Sequence, residues 1–329
     1  GWVDVQREEF KRLGVTGNWG DPYLTMDFHA EAVIAEELQK FVMNGMLYQG
    51  SKPVMWSPIE KTALAEAEVE YHDHQSHTIW VKFPVVNFTG ENDVFSGKVD
   101  VVIWTTTPWT IPQNRAICFG DGISYGLYEV TGRPEECWLS IGDKYLVADS
   151  LAEQVFTQAR LDGTMYRRLC DVSAGDLAQM TCAHPLRGAE GADGEWDYDV
   201  PLLSGDHVTD EAGTGFVHTA PSHGDDDYQV GLKHNLPMTY NIMEDGGFRA
   251  DLPLFGGKYI LNRKGKEGDA NGAVIDKLVE VGALLARGRL THSYPHSWRS
   301  KAPLIFRNTP QWFVAIDKPV GDGRDDYGT

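Results

Sequence analysis

Thiols are scarce. The 329 residues hold four cysteines, Cys118, Cys137, Cys170 and Cys182, and none forms a C-x-x-C pair. They read as scattered reduced thiols, not a disulfide framework, which fits a cytoplasmic protein. Long apolar runs are absent. Stretches such as Val101-Val102-Ile103-Trp104 are far too short to cross a bilayer, so no membrane association is expected. Basic residues are in deficit, with 29 Lys and Arg against 48 Asp and Glu, a formal charge of −19. Phosphate contacts need Lys and Arg, which argues against a broad nucleic-acid surface; RNA contact must be local or made mostly by other parts of a longer chain. The opening Gly1-Trp2-Val3-Asp4 lacks a basic start and an apolar core, so no signal peptide is expected. There is no initiator Met, and the chain stops in the loop-like Gly321-Asp322-Gly323-Arg324-Asp325-Asp326. Both ends read as cuts in a longer polypeptide, with a processed natural terminus as the alternative.

What is present suits one large domain or two modest ones, since 42% of the residues are hydrophobic. From Phe28 to Leu47, Ile34, Leu38, Phe41 and Val42 recur on one helical face, Asp27 offers a cap and Asn44-Gly45 a stop. A short strand is expected at Lys52-Pro53-Val54-Met55-Trp56, followed by a helix-prone run from Thr62 to Glu68. Near His77 the texture changes: Ile79, Val81 and Phe83 alternate with Trp80 and Lys82, as in a strand. Further strands are expected at 99–105, 115–119, 124–131, 166–172 and 214–219. Helices are expected at 149–159, from Asp225 onward and at 268–281, and an exposed acidic, Gly-rich loop at 188–198. The sum is an α+β fold: a β-rich domain over 77–288, inserted between flanking segments 1–76 and 289–329 that meet in space.

Two stretches carry the material for chemistry. In Trp104-Thr105-Thr106-Thr107-Pro108-Trp109-Thr110-Ile111-Pro112-Gln113-Asn114-Arg115, a threonine run ends at Pro108. Proline cannot continue a central strand and pushes Thr107 towards extended geometry, leaving hydroxyls and amides at a strand end. A strand-and-turn preference of Thr and Thr-Pro explains the same letters without any ligand. In Gly213 to Tyr228, His218, His223, Asp225, Asp226 and Asp227 crowd together. Part of the acidic charge is accounted for by a helix start. A metal held by His218, His223 and an aspartate is disfavoured, because a proline separates two histidines that do not share a helix face. Ser222 lacks the G-x-S-x-G elbow of a catalytic serine. His72, His74 and His77 alternate with polar residues and read as a solvated segment.

In order and separation, these stretches resemble the two motifs of the editing insertion (connective peptide 1) of class I aminoacyl-tRNA synthetases, W-T-T-T-P-W-T-x-P-x-N-R and G-T-G-x-V-H-T-A-P-x-H-G-x-D-D-Y. The closest match is the bacterial isoleucyl-tRNA synthetase family; valyl and leucyl relatives carry an arginine at the place of Thr107 and an acidic residue at that of Trp109. Pro22 to Phe28 and Lys52 to Trp56 resemble the stem entering the insertion; His292 to Pro295 and Thr309 to Phe313 resemble the stem leaving it. The resemblance covers nearly the whole chain. It implies a barrel-like, β-rich editing domain on a small stem formed by the two chain ends. It also implies hydrolysis of valine wrongly esterified to the 3′ end of tRNA(Ile), with the rest of the synthetase chain as partner. By the same resemblance Asp227 grips the ammonium, His218 and Trp109 wall the side-chain pocket, Thr106 and Thr107 supply oxyanion donors, and Thr107 and Asn114 orient water. Thr105 and Thr110 complete the substrate-binding group. No H-I-G-H or K-M-S-K-S occurs, so the ATP and Mg chemistry of the full-length family lies elsewhere. The family's stem zinc knuckle uses two C-x-x-C pairs; Ser57, Glu60, Ser297 and Ser300 stand at those positions, so no zinc and no cofactor are expected. A non-catalytic module that holds the tRNA 3′ end, the editing domain of the valyl sibling and an unrelated metal hydrolase stay open as alternatives.

Overall fold

The computed structural model describes residues 1–90, 95 and 98–316, so the loop-like 321–326 lies outside the described residues. The chain divides into two compact units, Gly1–Ser51 with Pro310–Thr329, and Lys52–Thr309. In the first, α1 (Trp2–Arg12) precedes α2 (Phe28–Met43). The Asp27 carboxylate accepts from the His29 N–H at 2.9 Å, and Asn44 ends the helix. Capping by Asp satisfies an amide that the first turn cannot. Helix α2 stops earlier than Leu47. The apolar stripe is where the spacing put it, yet Ile34, Leu38, Phe41 and Val42 are all exposed.

The second unit begins within β1 (Leu47–Ser57), which pairs antiparallel with the two-residue β2 (Thr62–Ala63). The helix expected over 62–68 is absent: a 3-10 turn at Glu66–Glu68 is all the helix there. The strand near His77 is β3 (Val69–Phe88), 20 residues long, and both its faces are buried from Ile79 to Phe83. Lys82 is therefore an inward residue, and burial lowers its pKa. After it come β4 (Val99–Thr105), β5 (Ala116–Phe119), β6 (Tyr125–Val130) and β7 (Lys144–Ala148). Helix α3 (Ala152–Gln158) and β8 (Tyr166–Val172) follow, then α4 (Ala174–Leu177), β9 (Met180–Ala183), β10 (Asp199–Ser204) and β11 (Phe216–Thr219). Helices α5 (Asp225–His234) and α6 (Ala270–Glu280) precede β12 (Leu284–Ser297).

Ten strands form one sheet of order β11-β5-β10-β9-β3-β4-β7-β6-β8, with β12 along β3. The α+β, β-rich class expected from the sequence is what this unit has, although the described ladder does not close into a barrel. Strand β3 serves three partners: β12 over Val69–Val81, β4 over Ile79–Pro84 and β9 over Val85–Phe88. His77, the expected domain boundary, falls inside this continuous strand. The loop 188–198 is not wholly exposed, because Trp196 is 1% exposed and packs in the core.

Candidate functional site

Strand β4 ends at Thr105, and Pro108 then opens a 3-10 helix, Pro108–Gln113. Proline is favourable at a helix start, where its missing N–H costs nothing. The carbonyls around this turn are met by side chains from distant loops. His184 Nε2 donates to Ile111, Trp196 Nε1 to Pro112 and the Tyr198 hydroxyl to Asn114, at 2.9, 2.9 and 2.7 Å. The Ile111 carbonyl also accepts the Asn114 N–H at 3.0 Å and the Asn114 carbonyl the Arg115 guanidinium at 3.1 Å, so the turn's buried acceptors are well satisfied. The Arg115 guanidinium lies 4.2 Å from the centre of the Tyr198 ring. Sequence reading missed all three donors. The signal available was a Trp and a Tyr inside a loop otherwise made of Gly and acid.

The adjacent strand β11 runs antiparallel to β5 and sets His218 opposite Ile117. This brings His218 to the threonine turn. Thr110 Oγ1 lies 2.8 Å from His218 Nε2 and donates to the Thr107 carbonyl at 2.8 Å. Asn114 Nδ2 lies 2.8 Å from the Ala116 carbonyl and 3.0 Å from His218 Nδ1. The carbonyl fixes which end of the amide is nitrogen, so Nδ1 accepts and Nε2 carries the proton. Burial lowers the His218 pKa to about 3. Neutral, and satisfied at both nitrogens, it is not a proton carrier.

The threonines are used unequally. Thr105 Oγ1 accepts the Thr107 N–H at 3.1 Å, and the hydroxyls of Thr105, Thr107 and Thr110 lie 3.1 and 3.3 Å apart in sequence. The Thr107 amide is thus not free for an oxyanion. Thr106 is half-buried, and its hydroxyl has no partner among the described residues. Both donors of Asn114 are committed and the side chain is fully buried; only its Oδ1 is unpaired. Thr106, Thr107 and Trp109 line a cavity of about 50 Å³, whose opposite walls include Gln75, His77, Asn271 and Tyr294. Trp109 is held there by its N–H to Asn271 Oδ1 at 3.2 Å and by the edge of the His223 ring, 5.0 Å away.

Asp227 lies in the first turn of α5, and its Oδ2 accepts the Ala220 N–H at 2.8 Å. A helix start alone favours a charged carboxylate. Burial outweighs that here and, with Asp226 beside it, pushes the pKa up to about 7. Asp227 and His218 do not line the threonine cavity. His223 donates from Nδ1 to the Phe306 carbonyl, its Nε2 is unpaired, and burial lowers its pKa to about 4. Ser222 is spent on Thr239. His72, His74, His292 and His296 share one face of the β3–β12 ribbon, with His72 and His74 5.3 and 5.7 Å from His296.

The four knuckle positions do come together. Glu60 Oε1 accepts from Ser297 Oγ at 2.8 Å and from the Ser300 N–H at 2.9 Å, while Ser57 Oγ accepts the Glu60 N–H at 3.2 Å. Three hydroxyls and one carboxylate lack the thiolate and imidazole donors of a structural zinc site. Among the described residues no group of three or more His, Cys, Asp or Glu is arranged to hold a metal. The four cysteines are free, and no described helix is long and apolar enough to cross a membrane.

Residues 1–323 match the family model for tRNA synthetases class I (I, L, M and V). An isoleucine–tRNA ligase of Ruegeria pomeroyi is 65% identical over 335 residues, covering 100% of this chain and 33% of its own length. That of Rhodopseudomonas palustris is 56% identical, covering 98% and 32%. The chain thus spans about a third of the length of the curated relatives it matches. Among solved structures, the P. knowlesi cytosolic leucyl-tRNA synthetase editing domain overlaps 50% of this chain and 66% of its own, at 13% identity and a TM-score of 0.38. The P. falciparum counterpart overlaps 49% and 68%, at 12% and 0.37.

Proposed function

Since this chain belongs to the class I tRNA synthetase family of the I, L, M and V group, we propose that it is the editing part of a cytoplasmic isoleucyl enzyme and acts as an aminoacyl-tRNA deacylase. Its substrate is the ester of valine on tRNA(Ile), and the remaining synthetase chain is its partner. The need is thermodynamic. One methylene separates valine from isoleucine and is worth only about 1–3 kcal/mol in an apolar pocket, a magnitude established on this very pair of amino acids. A second, smaller site that hydrolyses the error supplies the missing discrimination.

The observation that supports this reading is the wiring of half-buried Thr107 to buried Thr110, Asn114 and His218 in one hydrogen-bonded group beside the cavity lined by Thr106, Thr107 and Trp109. Such a rigid edge selects by shape, and a small cavity favours a small side chain. The Thr106 hydroxyl is the free donor for the developing oxyanion. Asn114 acts through His218, as a positioning residue, and Thr107 orients water. Asp227, reluctant to ionise alone, gains most from a cation and takes the substrate ammonium. No general base is required: an ester leaves readily, and positioning with help from the neighbouring ribose hydroxyl suffices. ATP and Mg chemistry belongs to parts carrying the activation motifs.

The test is deacylation of Val-tRNA(Ile) and Ile-tRNA(Ile) by this chain. Release of valine, sparing of isoleucine and indifference to chelator are expected. Binding without release overturns the proposal in favour of a holding module, and loss of activity on chelation favours a metal hydrolase. Elemental analysis should find no stoichiometric zinc; zinc at one per chain overturns the metal-free reading of the Ser57, Glu60, Ser297, Ser300 cluster.

A further inference from the structure

The cavity edge at Trp109 is tied to distant parts of the fold by one chain of hydrogen bonds. Pro108 has no N–H, and the Thr110 N–H donates to the Thr107 carbonyl at 3.0 Å within the 3-10 turn. The Trp109 N–H finds its acceptor outside the turn, in Asn271 Oδ1 at 3.2 Å, 162 residues along the sequence. Because that N–H can only donate, the atom facing it is oxygen, and the amide nitrogen of Asn271 points the other way. It donates to Glu267 Oε1 at 3.2 Å. The same carboxylate oxygen accepts from His77 Nε2 at 2.8 Å, and Glu267 Oε2 lies 3.8 Å from Arg289 Nη1. Trp109, Asn271, Glu267 and His77 are thus joined in order, and all four line the threonine cavity.

The backbone beneath the two middle members is fixed. The Gly268 N–H donates to the Ile260 carbonyl at 2.8 Å and the Ala270 N–H to that of Tyr259 at 2.9 Å, while Asp269 Oδ1 takes the Tyr259 N–H at 2.8 Å. Ala270 and Val274 have no exposed surface and seat α6 in the core. Asn271 therefore stands on a firm helix start. Among the described residues its amide bonds only outside α6. Trp109 has a second hold, the edge of the His223 ring, but that one acts on the indole and not on the backbone. The position of the Trp109 main chain, and with it this edge of the cavity, is set from α6. In a site that separates valine from isoleucine by one methylene, a small shift of an edge changes what enters.

We infer that Asn271 is a specificity-determining positioning residue: aimed by Glu267 and His77, it fixes Trp109 and so sets which ester side chain the threonine cavity admits. The inference rests on the proposed deacylase reading and deepens it.

The test is deacylation of Val-tRNA(Ile) and Ile-tRNA(Ile) by the whole chain, with amide exchange at Trp109 followed separately by NMR. Asn271 itself lines the cavity, so an alanine would widen it by deletion. Asn271→Leu keeps the volume and removes both hydrogen bonds. The Val-over-Ile ratio of kcat/KM should fall at least about fivefold, and the Trp109 N–H should exchange at least about tenfold faster. Asn271→Asp sets two carboxylates face to face and should lower the ratio as well. Adding Glu267→Gln supplies the new carboxylate with a donor, while the glutamine carbonyl keeps the His77 N–H. The ratio should then return to within about twofold of the parent. Val274→Ala loosens α6 without touching the hydrogen-bonded chain: its urea midpoint should drop and its ratio should not move. A parental ratio or unchanged Trp109 exchange in Asn271→Leu, no repair by Glu267→Gln, or an equal fall in Val274→Ala overturns the inference. If the unaltered chain hydrolyses neither ester, the deacylase reading fails and takes the specificity role with it; Trp109 exchange then still decides whether Asn271 holds the turn.

Discussion

His218 and Asp227 lie close together in the sequence, and burial acts on both, with opposite results. It takes the charge off the imidazole, whose pKa falls to about 3, and the hydrogen bonds from Asn114 and to Thr110 then lock a neutral ring in place. It takes the charge off the carboxylate by raising its pKa to about 7. That group is left with one backbone donor and a poised proton. The comparison separates two ways of building a site. One half spends desolvation on shape; the other uses it to make a charge that is costly alone and cheap beside a cation.

The largest break in the comparison should come from Asp227→Asn, which keeps the shape and removes the charge. Hydrolysis of Val-tRNA(Ile) should fall by about 10²–10⁴-fold with unchanged circular dichroism, because orientation as well as binding is lost. Asp226→Asn should stay near wild type; the reverse pattern would mean that the other carboxylate holds the ammonium. Next is Asn114→Ala. It leaves the Ala116 carbonyl and His218 Nδ1 unpaired, and urea midpoints should report a loss of about 2–3 kcal/mol. A change within error would make the amide dispensable to the shape-holding half.

His218→Ala tests the wall directly. Ile-tRNA(Ile), spared by the parent, should now be deacylated at least about tenfold faster, worth roughly 1.4 kcal/mol. Loss of valine hydrolysis with isoleucine still spared would assign His218 another task. The smallest effect is on pH dependence. Asp227 has a folded pKa near 7 against 3.8 for the free group, so the folded state holds the extra proton between those values. Its contribution to stability is complete below about pH 4 and lost as pH rises to about 7, on the order of 1 kcal/mol after solvent screening. Asp227→Asn should flatten that slope. Activity that needs the ionised carboxylate should rise with pH, reach half its maximum near pH 7 and level off above about pH 8 in kcat/KM, and the His218 ring should not titrate between about pH 5 and 9 by NMR. A His218 titration near 6.5 would remove the contrast between the two residues.

Much of this was readable from the letters, and what was not has a physical cause. A proline-stopped threonine run and an acidic helix start are local features, and both occur where expected, as do the strands from 99 to 172 and the Asp27 cap. Tertiary burial is not local. Three aspartates at a helix start argue for ionised carboxylates, and only the packing around Asp227 reverses that. The helix propensity of 62–68 yields to the hairpin Trp56↔Ala63. Lys82 alternates like a solvent-facing strand residue but lies in a sheet covered on both faces. The Gly and acidic neighbours of Trp196 point to an exposed loop, yet its indole N–H donates to the Pro112 carbonyl.

Strand β3 has a consequence for biosynthesis. Its first residues, from Val69, find their partner at Ser297 and the residues before it. More than two hundred residues separate the paired ends, and at about 5–20 residues per second translation needs roughly 10–40 s to cross that interval. Strand β4 emerges early and covers only Ile79–Pro84. Throughout that interval the histidine-bearing half of β3 is an open edge on the nascent chain, without the strand that will complete it. Polar side chains such as Glu70, His72, Asp73 and Gln75 on that half are what keep such an edge from recruiting a neighbouring chain before β12 arrives.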